Sequence, residues 1–139
     1  GALLESAHAI LAGLDPADEM GYALSHKKLW GVHLNDQNSL KYDQDKAFGS
    51  TNLRSAFNQV RVLDDAGYGS KGEYVGLDVK VMRTQRRDKS FQHRASSLDT
   101  FKFLLDKVRT YDRGREAEYV KARDYEGLDA YVLRHLMGV

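Results

Sequence analysis

The chain has 139 residues, of which 42% are apolar and 29% are charged, values typical of one soluble globular domain. Its 21 Lys and Arg balance 20 Asp and Glu, so it lacks the positive field that would draw it to nucleic acid. The absence of cysteine excludes disulfides and thiolate metal ligands. No apolar run reaches the about 18 residues of a membrane span, and no basic-then-apolar leader is visible. We therefore expect a cytoplasmic protein.

Three short apolar runs predict β-strands. They cover residues 2–5, which end at Glu5, residues 29–34 and residues 73–79. The third run is apolar enough to be covered on both faces. Helical segments separate the runs, so the sequence predicts two β-helix-β crossovers and a parallel sheet.

Capping residues mark the two crossover helices. Asp15 and Pro16 suit a helix start, and we expect that helix to run to about Lys28. Thr51 is the predicted cap of the next helix, which the glycine-containing segment 66–69 ends.

Residues 35–50 form a long polar loop, of a length that more often serves a function than not.

The predicted secondary structure changes after about residue 85. Beyond it the sequence predicts helices at 97–111, 116–123 and 125–137 and no further strand. We therefore expect βα units over residues 1–85 and a helical C-terminal extension over residues 86–139.

Six potential metal ligands fall at or just beyond the predicted strand ends. Because the carboxyl ends of parallel strands share one edge of a sheet, these side chains are expected to converge. Oxygen ligands with one or two imidazoles suit Mg²⁺, Mn²⁺ or Co²⁺, and two neighbouring ions need about this many groups. The predicted ligands are Glu5, His8, His33, Asp43, Asp45 and Asp78.

Each of these residues also has an ordinary structural interpretation. A histidine on an apolar strand, such as His33, is commonly a hydrogen-bonded core residue, and loop aspartates are commonly turn residues. The coincidence of a polar ligand type at every strand end favours the metal site, because such positions otherwise bury apolar groups. His26, His93 and His135 are assigned to the surface.

Four segments resemble the C-terminal part of xylose isomerase-type sugar isomerases. The resemblance spans roughly residues 1–85, and its most specific stretch is Lys-Tyr-Asp-Gln-Asp followed by Phe-Gly. The segments are Glu5-Ser6-Ala7-His8-Ala9, His33-Leu34-Asn35-Asp36-Gln37, Lys41-Tyr42-Asp43-Gln44-Asp45 with Phe48-Gly49, and Leu77-Asp78-Val79-Lys80.

The resemblance implies an α/β fold, the C-terminal portion of a (β/α)8 TIM barrel with about three βα units, followed by a helical tail. It implies that Glu5 bridges two divalent cations and that His33 and Asp78 complete one site. The other site would be held by His8, Asp43 and Asp45. Xylose isomerases carry an Asp where this chain has His33, and L-rhamnose isomerases carry a His there, so the resemblance leaves the sugar open.

The activity implied by the resemblance is the interconversion of an aldose and a ketose by a metal-assisted hydride shift. Asp45 is the candidate catalytic residue, because it would lie beside the water that relays the hydroxyl proton. A complete barrel needs ~250 residues. We therefore expect a fragment, or one of two chains, that needs an N-terminal part of the barrel for activity and forms a homo-oligomer, either a dimer or a tetramer.

Two other classes stay open. Sugar epimerases and metal-dependent endonucleases of the same barrel superfamily use similar ligands, but a nuclease needs a basic groove, and Asp88 interrupts the one basic cluster, residues 83–94. Alternatively, the chain is a non-catalytic interaction module that retains the ligand set. Metal affinity separates these interpretations, because an isomerase must keep it.

Overall fold

The computed structural model describes residues 1–139 as three strands and six α-helices. A single 3₁₀ turn at Arg87–Lys89 precedes the fourth helix. In chain order the elements are β1 (Ala2–Glu5), α1 (Ser6–Leu11), α2 (Pro16–Ser25), β2 (Leu29–Leu34), α3 (Leu53–Asp65), β3 (Tyr74–Leu77), α4 (Gln92–Arg109), α5 (Arg113–Ala122) and α6 (Tyr125–Met137).

The three strands form one parallel sheet with β2 in the centre. The register places Glu5 opposite His33 and His33 opposite Gly76, so the carboxyl ends of the strands lie side by side. The predicted α/β class, the parallel sheet and the bounds of β1 and β2 are confirmed.

The third strand differs from its prediction in length and in burial. It covers only Tyr74–Leu77, and the side chains of Tyr74 and Val75 are exposed. Because successive side chains of a strand point to opposite faces, the exposure of both residues leaves neither face fully covered, and the expectation that β3 is covered on both faces is wrong. β3 is also an edge strand, with a neighbouring strand on one side only.

The first crossover helix begins where the sequence predicts. The Asp15 side chain accepts hydrogen bonds from the N–H groups of Ala17 and Asp18, and Pro16 is the first helical residue. The helix ends at Ser25 rather than Lys28. Lys27 has a φ of 56°, a left-handed conformation that a right-handed helix cannot continue through.

The second crossover helix is capped by Asn52 and not by Thr51. The Asn52 side chain accepts the N–H of Ser55, whereas the Thr51 N–H donates to the buried carboxylate of Asp36. The helix runs to Asp65 as expected. Its apolar side packs over the sheet, and the buried residues on it are Ala56, Phe57, Val60 and Leu63.

A short helix, α1, directly follows β1 and was not predicted. With six residues it is too short to display a helical hydrophobic period. Its consequence for the site is direct, because it turns the chain so that His8 returns toward the end of β1.

α4 packs against α3 and β3, and α5 and α6 pack against each other and are joined to α3 by ion pairs. α4 begins at Gln92, five residues before the predicted start at Ser97, and α6 spans Tyr125–Met137. Val108, Val132 and Leu136 join the core that contains Phe57 and Leu34.

None of the helices combines the length and the apolar character that crossing a bilayer requires.

His93 and His135 are partly buried, so their assignment to the surface is wrong, whereas His26 is exposed as predicted. The Nε2 of His135 lies 2.6 Å from the carbonyl oxygen of Lys107. Its ring packs edge-on against Tyr111 and Phe57, with centroids 5.2 and 6.3 Å away. The position of a helical histidine depends on which neighbouring helix covers it, and this information is not local.

Candidate metal centre

The six predicted ligands gather at the carboxyl edge of the sheet. Glu5 ends β1, His33 lies near the end of β2, and Asp78 follows β3 directly. His8 reaches back from α1, while Asp43 and Asp45 come from the 35–50 loop. Parallel pairing, the turn made by α1 and the path of the 35–50 loop together bring them to one region.

Glu5, His33 and Asp78 form one group, called here the His33 cluster. The Nδ1 of His33 lies 3.3 Å from Asp78 Oδ2 and 3.8 Å from Glu5 Oε2. One ligand atom from each of the three residues lies within 4.8 Å of the other two.

Glu5, His8 and Asp43 form a second group, called here the His8 cluster. The Nε2 of His8 lies 3.4 Å from Glu5 Oε1 and 3.5 Å from Asp43 Oδ2. Glu5 thus presents one carboxylate oxygen to each cluster, which is the arrangement of a bridging ligand.

Asp45 lies beside the two clusters and belongs to neither group of converging atoms. Its carboxylate is buried, and its Oδ2 forms an ion pair with the ammonium of Lys80. The same ammonium lies 3.5 Å from Asp43 Oδ2. Asp45 has a φ of 43°, and its carbonyl accepts the N–H of Lys80 at 2.8 Å, so the loop and the segment after β3 are joined here.

The donor atoms fit divalent cations. A cation about 2.1 Å from each ligand, at angles of about 90–110°, places neighbouring ligand atoms about 3.0–3.4 Å apart. The four histidine-to-carboxylate distances lie at or slightly above this range. Asp43 Oδ1 is buried and has no hydrogen-bond partner, which leaves an unsatisfied acceptor of the kind a cation would satisfy.

The electrostatics of the two central carboxylates differ in direction. Burial raises the pKa of Glu5, although hydrogen bonding from Asn35 and the nearby His8 partly oppose the increase. Burial also acts to raise the pKa of Asp45, but the hydrogen bonds with Lys80 and the adjacent carboxyls outweigh it and lower that pKa. Asp45 therefore stays ionised more readily than Glu5.

Asn35 and Asp36 are the residues of this region to which the sequence assigned no role. Asn35 is fully buried, and its amide donates to both Glu5 and Asp45. The buried Asp36 carboxylate accepts the N–H groups of Gln37, Thr51 and Asn52 and so fixes the path of the loop. Both residues come directly after β2, whose end carries the candidate ligand His33, and this position could have indicated a role in the site.

The fold and the site together define an α/β protein with two carboxylate–imidazole clusters that share a glutamate. No protein-family model matches the sequence. Among curated proteins, the chain is 30% identical to the xylose isomerase of Thermus thermophilus over 87% of this chain and 30% of that protein. It is 34% identical to the enzyme of Streptomyces lividans over 77% of this chain and 26% of that protein.

A third xylose isomerase, from Thermus caldophilus, is 29% identical over 88% of this chain and 31% of that protein. These matches confirm the predicted resemblance: the chain is related to the xylose isomerase-type sugar isomerases. It spans about 30% of the length of the curated relatives it matches.

Proposed function

We propose that this chain is part of a metal-dependent sugar isomerase that interconverts an aldose and a ketose. The observation that carries the proposal is the carboxylate of Glu5, which contributes one oxygen to each of two carboxylate–imidazole clusters. The similarity of the chain to curated xylose isomerases supports the same reaction class.

We propose that residues 1–85 are βα units of a (β/α)8 barrel and that residues 86–139 are a helical extension. Three parallel strands with ligands at their carboxyl ends support this, since barrel enzymes place their sites there. The outer edges of β1 and β3 are unpaired. Strands from elsewhere would close the barrel, and activity would depend on them.

In the proposed mechanism, Glu5 would be shared by two divalent cations, Mn²⁺, Mg²⁺ or Co²⁺. His33 and Asp78 would complete one of the two sites, and His8, Asp43 and Asp45 would complete the other. When bound, the cations would supply Lewis-acid polarisation of the substrate oxygens. The strand ends that carry Glu5 and His33 hold these two side chains in fixed positions, which would help to orient an open-chain monosaccharide.

Asp45 is the proposed catalytic residue. The reaction moves a hydride between the first two sugar carbons and a proton between their oxygens, so a group must take up the proton and return it. The lowered pKa of Asp45 keeps its carboxylate in the ionised form that can accept a proton, although it also makes the group a weaker base than an ordinary aspartate. Its ion pair with Lys80 fixes the orientation of the carboxylate.

His33 leaves the sugar open between xylose-like and rhamnose-like substrates. An imidazole contributes one neutral nitrogen where a carboxylate would contribute a negative charge. The substrate is tested by assaying D-xylose and L-rhamnose with this chain combined with the strands proposed to close the barrel.

We further propose a homo-oligomer, a dimer or a tetramer, that works in the cytoplasm on a monosaccharide, without nucleic acid or membrane partners. Exposed apolar side chains on the last two helices support association, among them Val120, Leu133 and Met137.

The metal site is tested by titrating the chain with Mn²⁺. Binding is measured from the electron paramagnetic resonance signal of the ion that remains free. We expect two Mn²⁺ per chain, and we expect Glu5→Gln to weaken both sites because it removes the shared charge. The matched control is Glu73→Gln, since Glu73 is a carboxylate outside both clusters that binds only turn N–H groups. Unchanged binding by Glu5→Gln would contradict the bridging role.

A further inference from the structure

We propose that Asn35 is the positioning residue of this site: before any cation binds, it holds in place the Glu5 carboxylate, which both clusters share, and the neighbouring Asp45 carboxylate. The inference rests on the proposed function in that it concerns the same metal centre. It adds a residue that makes no contact with a cation in the proposed ligand set.

The amide of Asn35 is fixed in orientation by its surroundings. Its Oδ1 accepts the N–H of Ala7 at 2.7 Å, so its Nδ2 must point toward the carboxylates. The Nδ2 lies 3.0 Å from Glu5 Oε1, 2.9 Å from Asp45 Oδ1 and 3.0 Å from the carbonyl oxygen of Asp78. Asn35 itself is 1% exposed, so water cannot replace these bonds.

These contacts reach each segment that supplies ligands. Ala7 follows Glu5 into α1, Asp45 lies in the loop, and Asp78 follows β3. One side chain on the central strand's exit therefore connects all three segments. A change in the position of Asn35 would move Glu5, which both clusters share, and Asp45 together.

The chemistry of an amide suits this role. Carboxylates held close together repel one another, and a buried donor opposes that repulsion through charge-assisted hydrogen bonds. An amide does so without a positive charge that would compete with a cation. Residues that orient metal ligands in this way commonly contribute a factor of about 10–100 in metal affinity.

Other side chains at this position would fail for identifiable reasons. An aspartate would place an oxygen about 3 Å from three other acceptors, and a leucine would leave two carboxylates and a carbonyl without their donor. Both changes keep the approximate size of the side chain.

The first test compares Mn²⁺ binding by the 139-residue chain and by its Asn35→Leu variant. We expect the Mn²⁺ affinity of the variant to be about 10–100-fold lower. The matched control is Gln59→Leu, which removes another fully buried amide that contacts Ser6 and Ser55 and no predicted ligand. We expect this control to stay within about twofold of the wild-type affinity. Equal weakening in both variants would overturn the positioning role.

If Asn35→Leu does not fold, the wild-type chain tests the same contacts. In ¹⁵N-resolved NMR spectra of the metal-free wild-type chain, the Asn35 side-chain amide should exchange slowly with solvent. It should shift when diamagnetic Mg²⁺ is added, whereas the Gln59 side-chain amide should not. A solvent-exchanging Asn35 amide overturns the proposal. A wild-type chain that binds no ion overturns the metal centre instead, and slow exchange of the Asn35 amide then still supports its hold on the carboxylates.

Discussion

At the scale of single residues, the buried carboxylate of Glu5 is expected to lower the stability of the chain in the absence of a cation. Its side chain is 14% exposed and faces two imidazoles and the carboxylate of Asp45. Desolvation makes its ionised form unfavourable. The same negative charge is what would hold two cations, so binding and metal-free stability place opposite demands on this position.

The loss of stability caused by ionised Glu5 should depend on pH. Because the folded state raises the pKa of Glu5 above 4.5, folding favours its protonated form. Ionised Glu5 therefore lowers stability progressively as pH rises from 4.5 toward the raised folded value, and the loss persists at neutral pH. Without metal, Glu5→Gln should be more stable than wild type at pH 7 and equal to it at pH 4.

Urea unfolding at the two pH values measures this difference, with Glu73→Gln as the control. The pKa of the Glu73 carboxyl is lowered by backbone hydrogen bonds, chiefly the one from Lys71, so its removal should act in the opposite direction. A wild-type chain more stable than Glu5→Gln at pH 7 without metal would contradict the prediction.

At the scale of elements, ion pairs hold the fifth helix against the third. Arg61 on α3 forms two hydrogen bonds with Glu116 on α5, of 2.8 and 2.6 Å. Both side chains are less than one third exposed. Arg113 at the start of α5 pairs in the same way with Asp65. The contact is polar because α5 buries no residue fully.

Breaking the Arg61–Glu116 pair should loosen this contact. We expect Glu116→Gln to lower the free energy of unfolding by about 1–2 kcal/mol, because it leaves a partly buried guanidinium with a weaker partner. The control is Asp88→Asn, which breaks the exposed pair with Arg86 and should change stability by less than about 0.5 kcal/mol. If urea unfolding shows equal losses of stability for the two variants, the packing of α5 does not depend on the partly buried Arg61–Glu116 pair.

The bounds of elements could be predicted where the determinants are local. The apolar run of β2 and the Asp15 cap lie in consecutive residues, and the structure has both as predicted. Thr51 was predicted as the cap in place of Asn52 because both are capping residue types in consecutive positions; the N–H groups of both bind Asp36, and only the Asn52 side chain accepts the N–H of Ser55. The exposure of β3 was not predicted because the coverage of a strand's two faces depends on which distant elements pack against them.

At the scale of the whole molecule, the two open edges of the sheet are the main structural liability. Unpaired edge strands offer N–H and carbonyl groups to other chains. On β3 these groups lie beside the exposed side chains of Tyr74 and Val75. In the proposed barrel these edges would be covered by neighbouring strands.

The isolated chain should therefore self-associate through its edges. We expect sedimentation velocity to show concentration-dependent association that Val75→Lys reduces, since a charge on an edge strand opposes strand pairing. Tyr22→Lys, at an exposed position on α2, is the control and should leave association unchanged. Val120→Lys tests the helical surface proposed above. If only Val120→Lys reduces association, the helical extension rather than the sheet edge forms the contact.

The sequence by itself determined the candidate ligands, the three strands and their parallel order, because each follows from residues close together in the chain. The tertiary structure decided how the candidate ligands divide between two clusters, that Asp45 pairs with Lys80, and that Asn35 joins Glu5 to Asp45. These depend on strand register and on the path of the 35–50 loop. Both are set by contacts between residues distant in sequence, such as Asp36 with Thr51 and Asp45 with Lys80.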